Sequence, residues 1–134
     1  MPSIDAIEGI GPTYATKLRK AGIRTTEALL KRGGSRIGRK QVAGATGLTE
    51  NLVLEWVNRA DLMRIKGVGE EYSDLLEAAG VDTIKELRAR KAANLHAKMV
   101  EINEAKRLVR RLPTEDMVAG WVADALKLPT VIKY

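Results

Sequence analysis

The residues best suited to chemistry are Gly9, Ile10 and Gly11, which precede Pro12 and a run of basic side chains. A Gly-x-Gly turn that runs into a helix leaves backbone N–H groups unpaired and pointing outward. Together they form a small nest of positive potential in which a phosphate oxygen fits. Between positions 17 and 40 stand nine basic residues, Lys17, Arg19, Lys20, Arg24, Lys31, Arg32, Arg36, Arg39 and Lys40, against the single acid Glu27. Amides and cations so combined suit the binding of an anion.

Other chemistries find less support. The chain has no Cys and one His, which excludes disulfides and a Cys/His zinc site. His96 is expected on a helix beside Lys98 with no obvious nucleophile nearby. The turn lacks the third Gly of a dinucleotide fingerprint, since Tyr14 stands there, and no strand precedes it. Residues 33–40 resemble a phosphate-binding P-loop only superficially, because Arg39 and Lys40 occupy the places of the required Lys and Ser or Thr. No catalytic residue, metal, cofactor or small-molecule substrate is expected, and the chain reads as a non-enzyme.

The net charge of +6 is unevenly placed. Residues 1–64 carry 11 Lys and Arg against 6 Asp and Glu, whereas residues 65–134 carry 12 against 11, so the excess belongs to the first half. With 45% hydrophobic residues, no Phe, two Trp and three Tyr, the core must be mainly Leu, Ile, Val and Ala. No run approaches the length of a membrane span and no leader pattern is apparent, so a cytoplasmic protein is expected.

The elements that would position the turn are short helices. Ser3 is placed to cap a helix through Ile7, and Pro12 opens a second one that Gly22 closes. Thr25 and Ser35 are caps for the next two, the latter closed by Gly47, and Thr49 opens a helix with Leu52, Val53, Trp56 and Val57 on one face. The pattern then returns. Ile65, Gly67, Val68, Gly69, Tyr72, Leu76 and Gly80 repeat Ile7, Gly9, Ile10, Gly11, Tyr14, Leu18 and Gly22 at an offset of 58. Thr114 and Trp121 repeat Thr49 and Trp56 at an offset of 65, so the second copy holds seven extra residues, between Leu87 and Pro113. Thr83 and Glu86 have capping-box spacing. Residues 92–111 read as a helix interruptible at Asn103, and only residues 129–134 offer any β pattern. The expected fold is all-α, in two tandem repeats of about 60 residues, 1–64 and 65–134, packed as one unit. Both Trp are expected in the core or at the interface between the repeats, and both Tyr to pack with their hydroxyls toward solvent.

Residues 7–22 and 65–80 both resemble the helix-hairpin-helix motif, in a SAM-like architecture. The whole arrangement, including the run Leu-Glu-Trp-Val-Asn-Arg-Ala-Asp-Leu at 54–62, is similar to the family called domain of unknown function 4332. The helix-hairpin-helix resemblance implies sequence-independent binding of the DNA backbone by turn amides and by basic side chains on the second helix. In this chain that means the amides of Gly9, Ile10, Gly11 and Thr13 with the side chains of Lys17 and Lys20, joined by Arg19 as part of the same basic helix. The second copy departs from the pattern, because Glu70, Glu71, Asp74 and Glu77 crowd its turn and helix and would repel phosphate. No phosphate binding is assigned to Gly67 and Gly69.

Two functions emerge as expectations. The first is a module that binds DNA, or RNA, along its phosphate backbone through the first hairpin. The second is a protein-interaction or scaffold module whose basic and acidic hairpin faces dock on a partner or on a second copy.

Overall fold

The computed structural model describes residues 2–7 and 9–134; Met1 and Glu8, the latter inside the first turn motif, lie outside the described residues. The fold is all-α. A single 3-10 turn (Ile4–Ala6) precedes α1 (Pro12–Lys20), α2 (Thr26–Gly33), α3 (Arg36–Thr46), α4 (Glu50–Leu62), α5 (Glu70–Ala78), α6 (Ile84–Leu87), α7 (Ala92–Lys106) and α8 (Glu115–Lys127). The chain divides into two compact units. One comprises Met1–Arg64 with Val131–Tyr134, the other Ile65–Thr130. The last four residues therefore belong with the first half of the chain, a return that the repeat pattern did not announce.

Among the described residues, four of the eight helix starts are set by side-chain caps. The hydroxyls of Thr25, Ser35, Thr49 and Thr114 accept from the amides of Ala28, Gly38, Leu52 and Met117 at 3.0, 3.0, 3.2 and 3.1 Å. Each such cap contributes about 1 kcal/mol. Two expected caps are spent elsewhere. Ser3 makes no cap bond, the element after it is one 3-10 turn, and its Oγ instead accepts from Arg19 Nη2 at 3.4 Å. Thr83 Oγ1 donates to Glu86 Oε1 at 3.3 Å, so α6 starts without a side-chain cap.

Both hairpin helices end alike. After α1, Gly22 adopts φ 86° while the amides of Gly22 and Ile23 donate to Arg19 O at 3.0 Å and Leu18 O at 2.9 Å. Gly80, at φ 91°, and Val81 do the same to Glu77 O and Leu76 O, each at 2.9 Å. This is the Schellman pattern, which satisfies carbonyls the helix leaves open. An arginine then braces each end: Arg32 Nη1 donates to Ala21 O at 3.2 Å and Arg90 Nη1 to Ala79 O at 3.4 Å. The offset of 58 holds as far as Arg90, which places the seven extra residues after it.

In the first unit α2, α3 and α4 pack against one another, and the 3-10 turn lies on α1 and α2. Ile4, Ile7, Leu18, Ile23, Leu29, Val42, Val53, Trp56 and Val57 fill the space between them. Full burial of a side chain of this size contributes about 1.5–3 kcal/mol. Close approach of α2 to α4 depends on Gly33, where a Cβ would lie 2.5 Å from Val57 Cγ2. Val131 and Ile132 pack on the same core in an extended segment, without a strand partner among the described residues. Arg39 holds that segment. Its buried guanidinium donates to Gly33 O at 2.9 Å, Gly34 O at 3.1 Å and Lys133 O at 2.7 Å.

In the second unit α7 packs against α5 and α8, and α6 against α8. Leu75, Leu76, Val81, Ile84, Leu87, Leu95, Met99, Val118 and Trp121 are buried. Helix α7 ends at Lys106 instead of running to 111, because Arg107 turns left-handed at φ 50°. Asn103 does not interrupt the helix but anchors the segment after it: its side chain accepts from Val109 N at 3.0 Å and donates to Val109 O at 3.3 Å. Among the described residues, no helix is long and apolar enough to cross a membrane.

Candidate nucleic-acid interface

The first turn is shaped by one glycine and supported from below by one indole. Gly9 takes φ 92°, a conformation that side chains disfavour, and its missing Cβ would face Trp56 Nε1 at 3.7 Å. Gly11 differs: it is extended (φ −82°, ψ −177°), acts as the N-cap of α1, and a Cβ there would meet nothing within 4 Å. Neither backbone conformation nor crowding inside the unit demands glycine at that position.

The seven candidate residues separate into three groups. Gly9, Gly11, Thr13 and Lys17 line one open concavity together with Pro12 and Tyr14. Among the described residues no hydrogen bond engages the amides of Gly9, Gly11 or Thr13. Gly11 has no side chain to cap α1, and Pro12 at the first helical position gives no amide. Lys20, one helical turn beyond Lys17, is exposed near that face. Ile10 and Arg19 do not join them. The Ile10 amide donates to Ile7 O at 3.1 Å and its side chain is buried, so the turn itself consumes that donor. Arg19 points away from Lys17 around the helix and pairs with Asp5 Oδ2 at 3.5 Å and Ser3 Oγ at 3.4 Å, bracing the 3-10 turn.

The wider basic run divides on the same test. Arg32 and Arg39 hold backbone carbonyls. Among the described residues, the side chains of Lys17, Lys20, Arg24, Lys31, Arg36 and Lys40 make no hydrogen bond or ion pair, and all six are exposed. Among the described residues, six cations of this run are left to act outward.

The second hairpin has the same backbone and a different surface. Gly67 adopts φ 92° and its missing Cβ would face Trp121 Nε1 at 3.6 Å, and the Val68 amide donates to Ile65 O at 3.0 Å. The Tyr–Trp pairs match as well: Tyr14 lies 5.2 Å from Trp56 and Tyr72 5.2 Å from Trp121, ring centroid to centroid. Over the second hairpin, however, the segment after α7 folds back. Tyr72 Oη donates to Arg111 O at 2.9 Å, and Glu71 shares a concavity with Asn103, Glu104, Arg107, Val109 and Leu112. Leu75, the counterpart of Lys17, is fully buried. The acidic hairpin is thus partly covered by its own unit, at Tyr72 and Leu75, while Gly67, Gly69, Glu70 and Glu71 stay exposed. Of the candidate surface, sequence reasoning assigned Tyr14 to packing and missed it as a wall of the concavity, although its register with Tyr72 was visible.

Comparison with known proteins bears on the fold. A family model described as "Domain of unknown function (DUF4332)" matches residues 8–128. The chain belongs to that family. No curated protein and no solved structure matches it. The family match spans both hairpins, so the open and the partly covered copy lie within one family domain. Among the described residues no group of three or more His, Cys, Asp or Glu is placed to hold a metal ion.

Proposed function

We propose that this chain is a non-enzymatic cytoplasmic module of tandem helix-hairpin-helix type that binds nucleic acid, foremost DNA, through backbone phosphates at the first hairpin. One observation carries the reading: the first hairpin combines unengaged amides at Gly9, Gly11 and Thr13 with exposed Lys17 in a single open concavity, while the matching face of the second hairpin is acidic, with buried Leu75 in place of Lys17 and the Tyr72 hydroxyl already bonded. A phosphate oxygen at the turn would accept from those amides and lie at the positive end of α1. Lys17 and Lys20 would neutralise it and its neighbour along the strand. No base edge is addressed by such contacts, so they position the nucleic acid without selecting sequence.

The test is a titration of the protein against duplex, single-stranded and branched DNA of unrelated sequences at two salt concentrations. The reading expects binding that is indifferent to sequence and weakens steeply with salt. Absence of a complex with every one of these at about 50 mM salt, a level at which phosphate contacts are strong, would refute it.

A further inference from the structure

We infer that Tyr14 is itself a ligand-binding residue of the first hairpin, its hydroxyl donating to a phosphate oxygen of the bound strand. The inference rests on the nucleic-acid reading above and adds a contact that the hairpin resemblance does not supply. It comes from comparing the two units. In the second, the segment of residues 107–112 lies beside the hairpin, and the hydroxyl of Tyr72 donates to one of its backbone oxygens, Arg111 O, at 2.9 Å. In the first, the ring is held in much the same way, tilted against its Trp with centroids 5.2 Å apart, above a turn of the same conformation. Its hydroxyl has no partner among the described residues, and the ring lines the open concavity beside Gly11 and Lys17. The second unit therefore shows the tyrosine at this place donating to a backbone oxygen of a neighbouring segment.

The chemistry of the first occupant differs from that of the second. Leu75, buried in the second unit, corresponds to exposed Lys17, and the turn carboxylates Glu70 and Glu71 correspond to Pro12 and Thr13. A peptide segment that carries Arg107, Arg110 and Arg111 suits an acidic-rimmed face. A face with an ammonium and unengaged amides in those places suits a backbone whose acceptors are anionic. A phenol donating to an anionic oxygen makes a short, strong hydrogen bond, about twice the strength of one between neutral groups.

The test uses the full chain with Tyr14→Phe, Tyr72→Phe and the double substitution Lys17→Ala, Lys20→Ala. Labelled duplex and single-stranded oligonucleotides are the probes, with an oligoglutamate peptide of equal charge as competitor. Phe keeps the ring on Trp56, so Tyr14→Phe should melt like the parent. It should bind both oligonucleotides about tenfold more weakly, as for one lost charge-assisted bond, with an unaltered salt slope because no charge is removed. Tyr72→Phe should bind as the parent does. Should Tyr14→Phe bind normally while the lysine variant loses affinity, the tyrosine contact is wrong and the hairpin reading survives. Normal binding by both variants sinks the hairpin reading as well. Displacement of the oligonucleotide by oligoglutamate at lower concentration than by unlabelled DNA would overturn the inference in favour of an acidic peptide.

Discussion

Removing both lysines of the first hairpin gives the sharpest test of where an anion is held. Lys17 and Lys20 are exposed and their side chains make no bond or ion pair among the described residues, so the double substitution to Ala should leave stability within about 0.5 kcal/mol of the parent. Its effect on binding is set by counterion release. Each neutralised phosphate contributes about 0.9 to the slope of log affinity against log salt on duplex DNA, so two lost contacts lower the slope by about 1.8. Between 50 and 200 mM salt, a fourfold range, that difference amounts to about a tenfold smaller loss of affinity in the variant than in the parent. Fluorescence anisotropy with one duplex over four or five salt concentrations measures both slopes. A variant that binds more weakly with the parent slope would mean that these lysines act indirectly. Parent affinity together with parent slope would remove the hairpin from the interface.

Three further outcomes are set by the packing. Gly33→Ala forces a methyl to within 2.5 Å of Val57 Cγ2 and should cost about 1–3 kcal/mol; Gly44→Ala, in the exposed middle of α3 with open space around it, should add about 0.5–1 kcal/mol. Urea denaturation of the pair gives both signs in one experiment. Arg39→Met removes three hydrogen bonds and strands the carbonyls of Gly33 and Lys133, Gly34 O keeping the Lys133 amide, so it should lower stability by about 2–5 kcal/mol, with early proteolytic loss of Val131–Tyr134 detectable by mass spectrometry. Gly11→Ser replaces one good N-cap by another, so the melting temperature should hold or rise by a degree or two. The added side chain enters the concavity, however, and affinity for DNA should fall.

Much of the helical framework was legible because it is written in local chemistry. Thr25, Ser35, Thr49 and Thr114 cap as their positions foretold, Gly22 and Gly80 close their helices, and Trp56 and Trp121 occupy matching core places. The features that escaped sequence reasoning depend on partners distant in the chain. Arg39 counts as a surface cation in the basic run, yet it is buried because the carbonyl of Lys133 comes to it from 94 residues away. Arg19 likewise leaves the candidate interface for Asp5, and the Ile10 amide is consumed by its own turn. The extent of α7 was overstated because apolar spacing continues past Lys106, while the left-handed Arg107 and the Asn103 clamp on Val109 carry no periodic signal. The partial covering of the second hairpin results from those two features together.

The return of Val131–Tyr134 to the first unit has a consequence for the order of folding. Ile65–Thr130 leaves the ribosome before the segment that completes the structure ahead of it. Until residues 131–134 emerge, Arg39 lacks the carbonyl of Lys133, and the core around Gly34 lacks Val131. A nascent chain halted in the second unit should therefore carry a finished first hairpin on an unfinished support. Completion of the first unit would report that the second has already been made.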